Sequence, residues 1–377
     1  MIMVVSEFAG VAQDGFVASA CAELALKRPD HRLVFVVGFL KRYRYGGLRP
    51  SRLLNYAVVY ARSLAGLLRY RPDVVIVDTT PPLIQLWMAL LGPLFKARVY
   101  VWMMDYHPEI EARALDRIAG LRWLARLLRA ADRSALRRVS GVLALDEAMA
   151  DTVRARCGGL DVKVHPPWSV QGCGQYQPVT LNRVQEDLRI AYVGNLGAAH
   201  GLEDLEQLLA AVRPRRLSLL IVGGNAAGLQ RWREIARRLE ADIQSAGRLP
   251  WDELYRRLNE YHPNYALVLL DENKVGLVAP SKYATYIRLG VPVLYLGPHG
   301  TNADRVCRIL GAGLAATRDE IIRDRATLAC SLLDPAAQER RRAATKTAHE
   351  ALAKFNATSF VEMLRPWLED AAKAEAG

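Results

Sequence analysis

The stretch Arg189-Ile-Ala-Tyr-Val-Gly194-Asn-Leu-Gly197-Ala-Ala-His200-Gly201 opens as an unbroken apolar run, breaks on a glycine, and leads into an amphipathic pattern over Glu203–Val212. A short run that is apolar at every position reads as a strand buried on both faces. Gly194 and Gly197 allow a sharp turn and close approach of the backbone to a ligand. The helix that follows begins with unsatisfied N–H groups suited to phosphate. An ordinary strand-to-helix turn has the same outline, so ligand binding stands here as one of two readings. The six-residue glycine spacing of a dinucleotide fold is absent, which disfavours a nicotinamide cofactor.

The same alternation extends in both directions. Strands are predicted at Met1–Val5, Arg32–Val37, Val74–Val77, Val99–Met104 and Gly141–Leu145, and after the quoted strand at Leu217–Val222, Ala266–Leu270 and Pro292–Leu296. Helical periodicity is clearest over Ser51–Tyr70 and Leu115–Arg138, and helices are also read at Glu203–Val212, Gly228–Glu240 and Trp251–Glu260. Buried strands alternating with helices imply α/β architecture with parallel sheets, and two such blocks imply two doubly wound domains. The stretch His165–Asp187 carries Pro166, Pro167, Gly172, Gly174 and Pro178 and reads as a linker. The expected division is residues 1–165, a linker at 166–187, residues 188–342, and a helical segment at 343–377 that packs back on the first domain. Phe355, Phe360, Leu364 and Trp367 are its apolar anchors.

The 377 residues are 51% hydrophobic and 24% charged, which is globular composition and excludes a disordered or fibrous chain. Five scattered cysteines form no zinc-ligand spacing and suit a reducing compartment. The most apolar uncharged run, Thr79–Phe95, is interrupted by Pro81, Pro82, Gln85 and Pro93 and falls short of a membrane span. Residues 1–165 hold 24 Lys and Arg against 15 Asp and Glu, while the remainder hold 27 against 24, so most of the net charge of +12 lies in the first half. That imbalance points to an anionic partner. Arg122, Arg126, Arg129, Arg133 and Arg137 fall within about 80° of one helix face, beside Trp123 and Leu127, and Lys41–Tyr45 is a second basic and aromatic cluster. An interfacial helix on anionic lipid and a solvated helix face both fit this pattern.

Other motifs sit where strands end. In Gly276-Leu-Val-Ala-Pro-Ser281-Lys282, Ser281 is placed to cap a helix that Gly290 ends. Lys282 then stands in the first turn, against the positive end of the helix dipole, where a bound anion would offset the cost. Gly223-Gly224-Asn225 and Gly247-Arg248-Leu249-Pro250 are further strand-end loops, and Arg248 suits either a phosphate or plain solvent. Asp105, just past the strand ending at Met104, is placed to orient or deprotonate a hydroxyl, or to cap a turn. No matching ligand cluster accompanies His107 or His200, so no metal site is expected, and neither Asp-x-Asp nor Gly-x-Ser-x-Gly occurs.

Taken together, Tyr192-Val-Gly-Asn-Leu-Gly-Ala-Ala-His200, Pro280-Ser-Lys282, Gly290-Val-Pro-Val-Leu294, Asp105-Tyr-His-Pro-Glu109, Pro81-Pro82 and Pro167-Trp168 resemble glycosyltransferase family 4, in its bacterial surface-polysaccharide branch. The resemblance runs over nearly the whole chain. It implies the GT-B fold, two Rossmann-like domains facing across an interdomain cleft, with a nucleoside-diphosphate-sugar donor on the second domain and the acceptor on the first. On that likeness Gly194, Asn195 and Gly197 line the phosphate loop, with Gly223 on the neighbouring loop. His200 takes the place of a lysine common in relatives, Ser281 and Lys282 face the phosphates, and Arg248 and Leu249 lie near the base. Thr285 stands where many relatives carry a ribose-binding glutamate, and Ala198 where close relatives carry arginine. The family generally retains anomeric configuration and uses no bound metal or cofactor.

The expected protein is therefore a cytoplasmic glycosyltransferase on the inner face of the cell membrane, adding a sugar to a lipid-linked glycan. Asp105 and Lys282 are its candidate catalytic groups, and nucleic acid is not among its partners. A nucleotide-sugar 2-epimerase is a rival enzyme of the same architecture. A catalytically degenerate partner protein is the non-enzymatic rival, motivated by Thr285 and Ala198.

Overall fold

In the computed structural model, residues 1–6, 16–29, 31–38, 50–169, 175–181, 187–194, 196, 201–211, 216–224 and 226–373 are described. They divide into two units. The first comprises Met1–Val170, Gly276–Ala279 and Phe355–Gly377, and the second Gln171–Val275 and Pro280–Lys354.

The first unit alternates β1 (Ile2–Val5), α1 (Phe16–Lys27), β2 (Leu33–Val36), α2 (Pro50–Tyr70), β3 (Val74–Asp78), α3 (Ile84–Leu91), β4 (Arg98–Met103), α4 (Glu109–Asp116), α5 (Arg122–Leu136), β5 (Gly141–Ala144), α6 (Glu147–Arg156) and β6 (Val162–Val164). Its sheet is parallel, with order β2-β1-β3-β4-β5-β6. Successive strand residues point to opposite faces, and both faces are covered. Met3, Val5, Val75, Val77, Val99 and Val101 enter one core. Ile2, Val4, Ile76, Tyr100 and Trp102 enter the other, with Val17 and Leu24 of α1.

The second unit runs β7 (Asp187–Val193), α7 (Leu202–Ala211), β8 (Arg216–Val222), α8 (Ala226–Arg238), β9 (Asp242–Ala246), α9 (Trp251–Tyr261), β10 (Tyr265–Leu269), α10 (Lys282–Arg288), β11 (Val293–Leu296), α11 (Asn302–Arg308), β12 (Gly313–Ala316), α12 (Arg318–Leu333) and α13 (Pro335–Ala353). Its parallel sheet has the order β12-β11-β10-β7-β8-β9. The chain then returns to the first unit as α14 (Ala357–Lys373). There Phe360 packs on Trp102, and Trp367 stacks on Tyr100 with ring centroids 4.4 Å apart.

Two helices differ from expectation. The stretch Leu115–Arg138 is not one helix: α4 ends at Asp116, the chain turns through Gly120, and α5 begins at Arg122. The helical segment expected from Ala343 to Glu369 is also broken, between Ala353 and Ala357, and its two halves belong to different units.

Each sheet has one point where strand order reverses. In the first it lies between β1 and β3, in the second between β7 and β10. In open parallel sheets ligands bind beyond the carboxyl ends of the strands at such points. The topology alone therefore singles out the loops after β7 and β10 in the second unit, and those after β1 and β3 in the first.

Candidate functional site

In the second unit, β7 ends at Val193 and the chain turns at Gly194, whose φ is +127°. A side chain there would be strained by the backbone and would also collide. Its Cβ would lie 2.6 Å from Cε and 3.1 Å from Nζ of Lys282. Glycine is thus favoured by the backbone conformation, and its bare backbone leaves room for the end of the lysine side chain. Lys282 is the first residue of α10, the helix that follows β10. Its Nζ donates to the hydroxyl of Tyr192 at 2.8 Å and sits 4.4 Å from the centre of that ring. Tyr286, one turn along α10, takes a hydrogen bond from the Val193 N–H at 2.9 Å, which pins the helix to the end of β7. Burial pushes the Lys282 amine down to about 8 from its usual value near 10.5.

The loop after β8 closes the group. Gly194 N–H bonds the Val222 carbonyl at 2.8 Å, and Gly223, with φ of +90°, lies against the Gly194 backbone. Gly223 N–H in turn reaches the carbonyls of Ala246 and Gly247, at 2.9 and 3.2 Å. Gly194, Gly223 and Lys282 therefore meet at the switch point. Arg248, exposed, and Leu249, half-buried, lie in the loop that starts at Gly247. Thr285 is half-buried on α10. Ser281 does stand at the N-cap position of α10, but it is exposed, its φ and ψ of −101° and −17° are helical, and its side chain makes no capping bond. Gly290 ends the helix with φ of +64°, and a Cβ there would come within 2.9 Å of Pro178 and the Tyr176 hydroxyl. Asn195, Gly197, Ala198 and His200 lie outside the described residues, as does Lys41–Tyr45.

Asp105 belongs to the first unit, two residues past β4. Its N–H bonds the Thr79 hydroxyl at 3.2 Å, and its backbone bridges to Val278. Tyr106 N–H donates to the Leu277 carbonyl at 2.7 Å. Thr79 follows Asp78, which ends β3 and takes a hydrogen bond from the Ser6 hydroxyl, so polar groups converge beside the β1/β3 switch point. Residue-type reasoning had not singled out Ser6, Asp78 or Tyr192. The available signal was a polar residue at the end of an otherwise apolar run.

Behind Asp105 lies a buried ion network. Glu109 accepts from Arg129 at 2.9 and 3.1 Å, Arg156 at 2.8 Å and Arg113 at 3.2 Å. Burial favours its neutral form, but the arginine hydrogen bonds outweigh burial and hold its carboxyl below the usual range. Asp132 accepts from the Tyr106 hydroxyl at 2.8 Å and Arg156 at 3.0 Å, and here burial prevails and raises its pKa.

Residues 10–168 match the family model of the glycosyl transferase 4-like domain. Across 99% of both chains the structure is similar to sucrose-phosphate synthase from Thermosynechococcus elongatus, with a TM-score of 0.69 and 14% identity. The chain is thus similar to the glycosyl transferase 4-like domain over its first part, and it has the GT-B fold. Similar GT-B structures include Anabaena HepE in complex with UDP and glucose (TM-score 0.64, 13% identity, 98% of this chain and 99% of that one). Another is WaaG, a glycosyltransferase involved in lipopolysaccharide biosynthesis (0.60, 13%, 94% and 99%). No curated protein matches the chain in sequence. The matched family segment covers Asp105 and the ion network, while Gly194 and Lys282 lie beyond it.

Proposed function

We propose that the protein transfers a sugar from a nucleoside-diphosphate donor to a lipid-linked glycan acceptor in bacterial surface-polysaccharide assembly, with retention of configuration and without a bound metal or cofactor. The observation that carries this reading is the Lys282 ammonium held over Gly194 at the β7/β10 switch point. Breaking the sugar–phosphate bond leaves growing negative charge on the departing diphosphate. A cation fixed in a partly dehydrated site stabilises that charge more than water does. Positive-φ glycines at 194 and 223 let the backbone come close to phosphate. Ser281, Thr285, Arg248 and Leu249, with Asn195, Gly197 and His200, complete the donor side of the proposal. Asp105 is the group proposed to orient or deprotonate the acceptor hydroxyl. The structural likeness to a protein solved with UDP and glucose, and to one of lipopolysaccharide biosynthesis, supports the donor and pathway classes.

Thermal shift and calorimetry with UDP, GDP, ADP and dTDP test the reading, because a ligand of the folded state raises its apparent stability. One of the four is expected to bind, and Lys282→Ala to weaken it about ten- to a hundredfold, the range for a lost charge-assisted hydrogen bond. If none binds, the degenerate-homologue reading takes its place. Equal affinity in the variant removes Lys282 from the site.

A further inference from the structure

The geometry points to a second anion site in the second unit, for a small oxyanion: inorganic phosphate or the phosphate of a monoester. It goes beyond the donor reading and does not rest on it. The site lies at the amino end of the sheet, whereas Gly194 stands at the other end of β7, about 17 Å away at 3.3 Å per residue. The parallel register sets Arg189 of β7 beside Ser218 of β8, and Ser218 beside Asp242 of β9. Residues two apart on a strand share a face, so Arg216 and Gln244 stand on the same side. Further along that face the residues are Ala191, Leu220 and Val222. The polar character is confined to the amino end.

The last turn of α9 covers this row with Arg257, Glu260 and Tyr261 and leaves a cavity of about 150 Å³. At about 30 Å³ each, roughly five waters would fill it. That is room for a tetrahedral oxyanion and too little for a nucleotide. Arg189 is half-buried and, among the described residues, forms no ion pair. One N–H of its Nη1 donates to the Tyr261 carbonyl at 3.0 Å. A guanidinium carries five donors, so holding the carboxyl end of α9 accounts for one and leaves four. Arg257 donates to Gln244 Oε1 at 2.9 Å, while Glu260 stays 3.7 Å from it and is held by Arg256 at 2.5 Å. Arg216 meets Asp242 through Nε at 3.1 Å. Ser218, 8% exposed, and Tyr261, 4% exposed, add two hydroxyls to the lining.

Three guanidiniums against two carboxylates leave the cavity one positive charge in excess, centred on Arg189 in an interior strand. A charge drawn partly out of water gains when a counter-ion joins it. Arginine forks reaching in from β7, β8 and α9 approach from three directions. Such an array suits the oxygens of a tetrahedral phosphate better than a planar carboxylate.

The test is calorimetric titration of the full chain with inorganic phosphate, sulfate and glucose 6-phosphate, against sodium chloride at matched ionic strength. Phosphate or its monoester is expected to bind where chloride does not, and the tighter of the two names the source. Arg189→Gln is expected to weaken that binding about ten- to a hundredfold, the range for a hydrogen bond to a charged group. Because Arg189 also holds the end of α9, Glu260→Gln supplies a readout that loss of folding would not imitate. Removing this exposed, competing carboxylate should tighten binding about two- to fivefold. Lys282→Ala should leave phosphate affinity as it was. Binding that Lys282→Ala abolishes and Arg189→Gln spares would move the ion to the switch point and overturn the inference. So would weak binding shared by phosphate, sulfate and chloride and unmoved by Arg189→Gln and Glu260→Gln, which means an adventitious ion only. Phosphate binding at Arg189 without nucleoside-diphosphate binding would sink the functional reading alone, and the reverse result would sink only this inference.

Discussion

Glu109 in the first unit and Lys282 in the second are both charges drawn out of water, yet their surroundings act on them in opposite senses. Glu109 meets three arginines, and its carboxyl is held in the charged form. Lys282 meets a tyrosine hydroxyl, an aromatic face and a glycine backbone, and burial moves it toward the neutral form. Burial alone therefore does not mark a functional charge; what surrounds it does. The carboxylate is satisfied by arginines within the protein, while the amine is the group proposed to meet the donor's diphosphate.

The largest effect that would break this contrast concerns stability. Removing one member of a buried ion network leaves its partners uncompensated, and Glu109→Ala is expected to cost about 3–5 kcal/mol in denaturant unfolding, with nucleotide affinity unchanged. A loss under about 1 kcal/mol would place Glu109 among ordinary surface pairs. Because the Glu109 pKa is depressed in the folded chain, its contribution is present above the unfolded carboxylate value and fades as pH falls through the folded one.

An intermediate effect sharpens the Lys282 side. The protonated amine is the form that attracts an anion, so affinity for the preferred nucleoside diphosphate should fall as pH rises through about 8. The limiting slope is about tenfold per pH unit. A bound diphosphate raises the amine's pKa, so binding on the alkaline side takes up protons. Calorimetry across that range, with Lys282→Met as the flat reference, checks this; parallel profiles in the two proteins would contradict it.

The smallest effect compares two helix starts. Thr317 accepts from Glu320 N–H in a complete capping box, whereas Ser281 makes no capping bond. Thr317→Ala should cost about 1 kcal/mol and Ser281→Ala less than about 0.5 kcal/mol, both read from denaturation midpoints.

The central strands were legible because burial on both faces leaves an unbroken apolar run, as in Val74–Val77 and Leu219–Val222. Strands β6, β9 and β12 went unread, and all three are sheet edges. Asp242-Ile-Gln-Ser-Ala246 is mostly polar and exposed, and Gly313-Leu-Ala-Ala316 is small, so neither carries the signature of burial. The turn through Gly120 was hidden because the apolar period continues across it. At the candidate site, Lys282 was visible as a cation set against a helix dipole. Its approach to Gly194 was not, because β7 and β10 become neighbours only through the strand order, which joins residues far apart in the chain. Ser281 misled in the opposite way: the residue type suited a cap, but its helical backbone angles carry the hydroxyl elsewhere.

The placement of α14 bears on how the chain matures on the ribosome. The first unit needs Phe360, Leu364 and Trp367 to cover one face of its sheet, and Leu277 to complete the core on the other. Synthesis delivers these pieces only after most of the second unit has emerged, so the half that is made first is the last to be finished. A nascent chain halted at the linker would expose Tyr100 and Trp102 to water, and the final helix acts as the stitch that closes the opening fold.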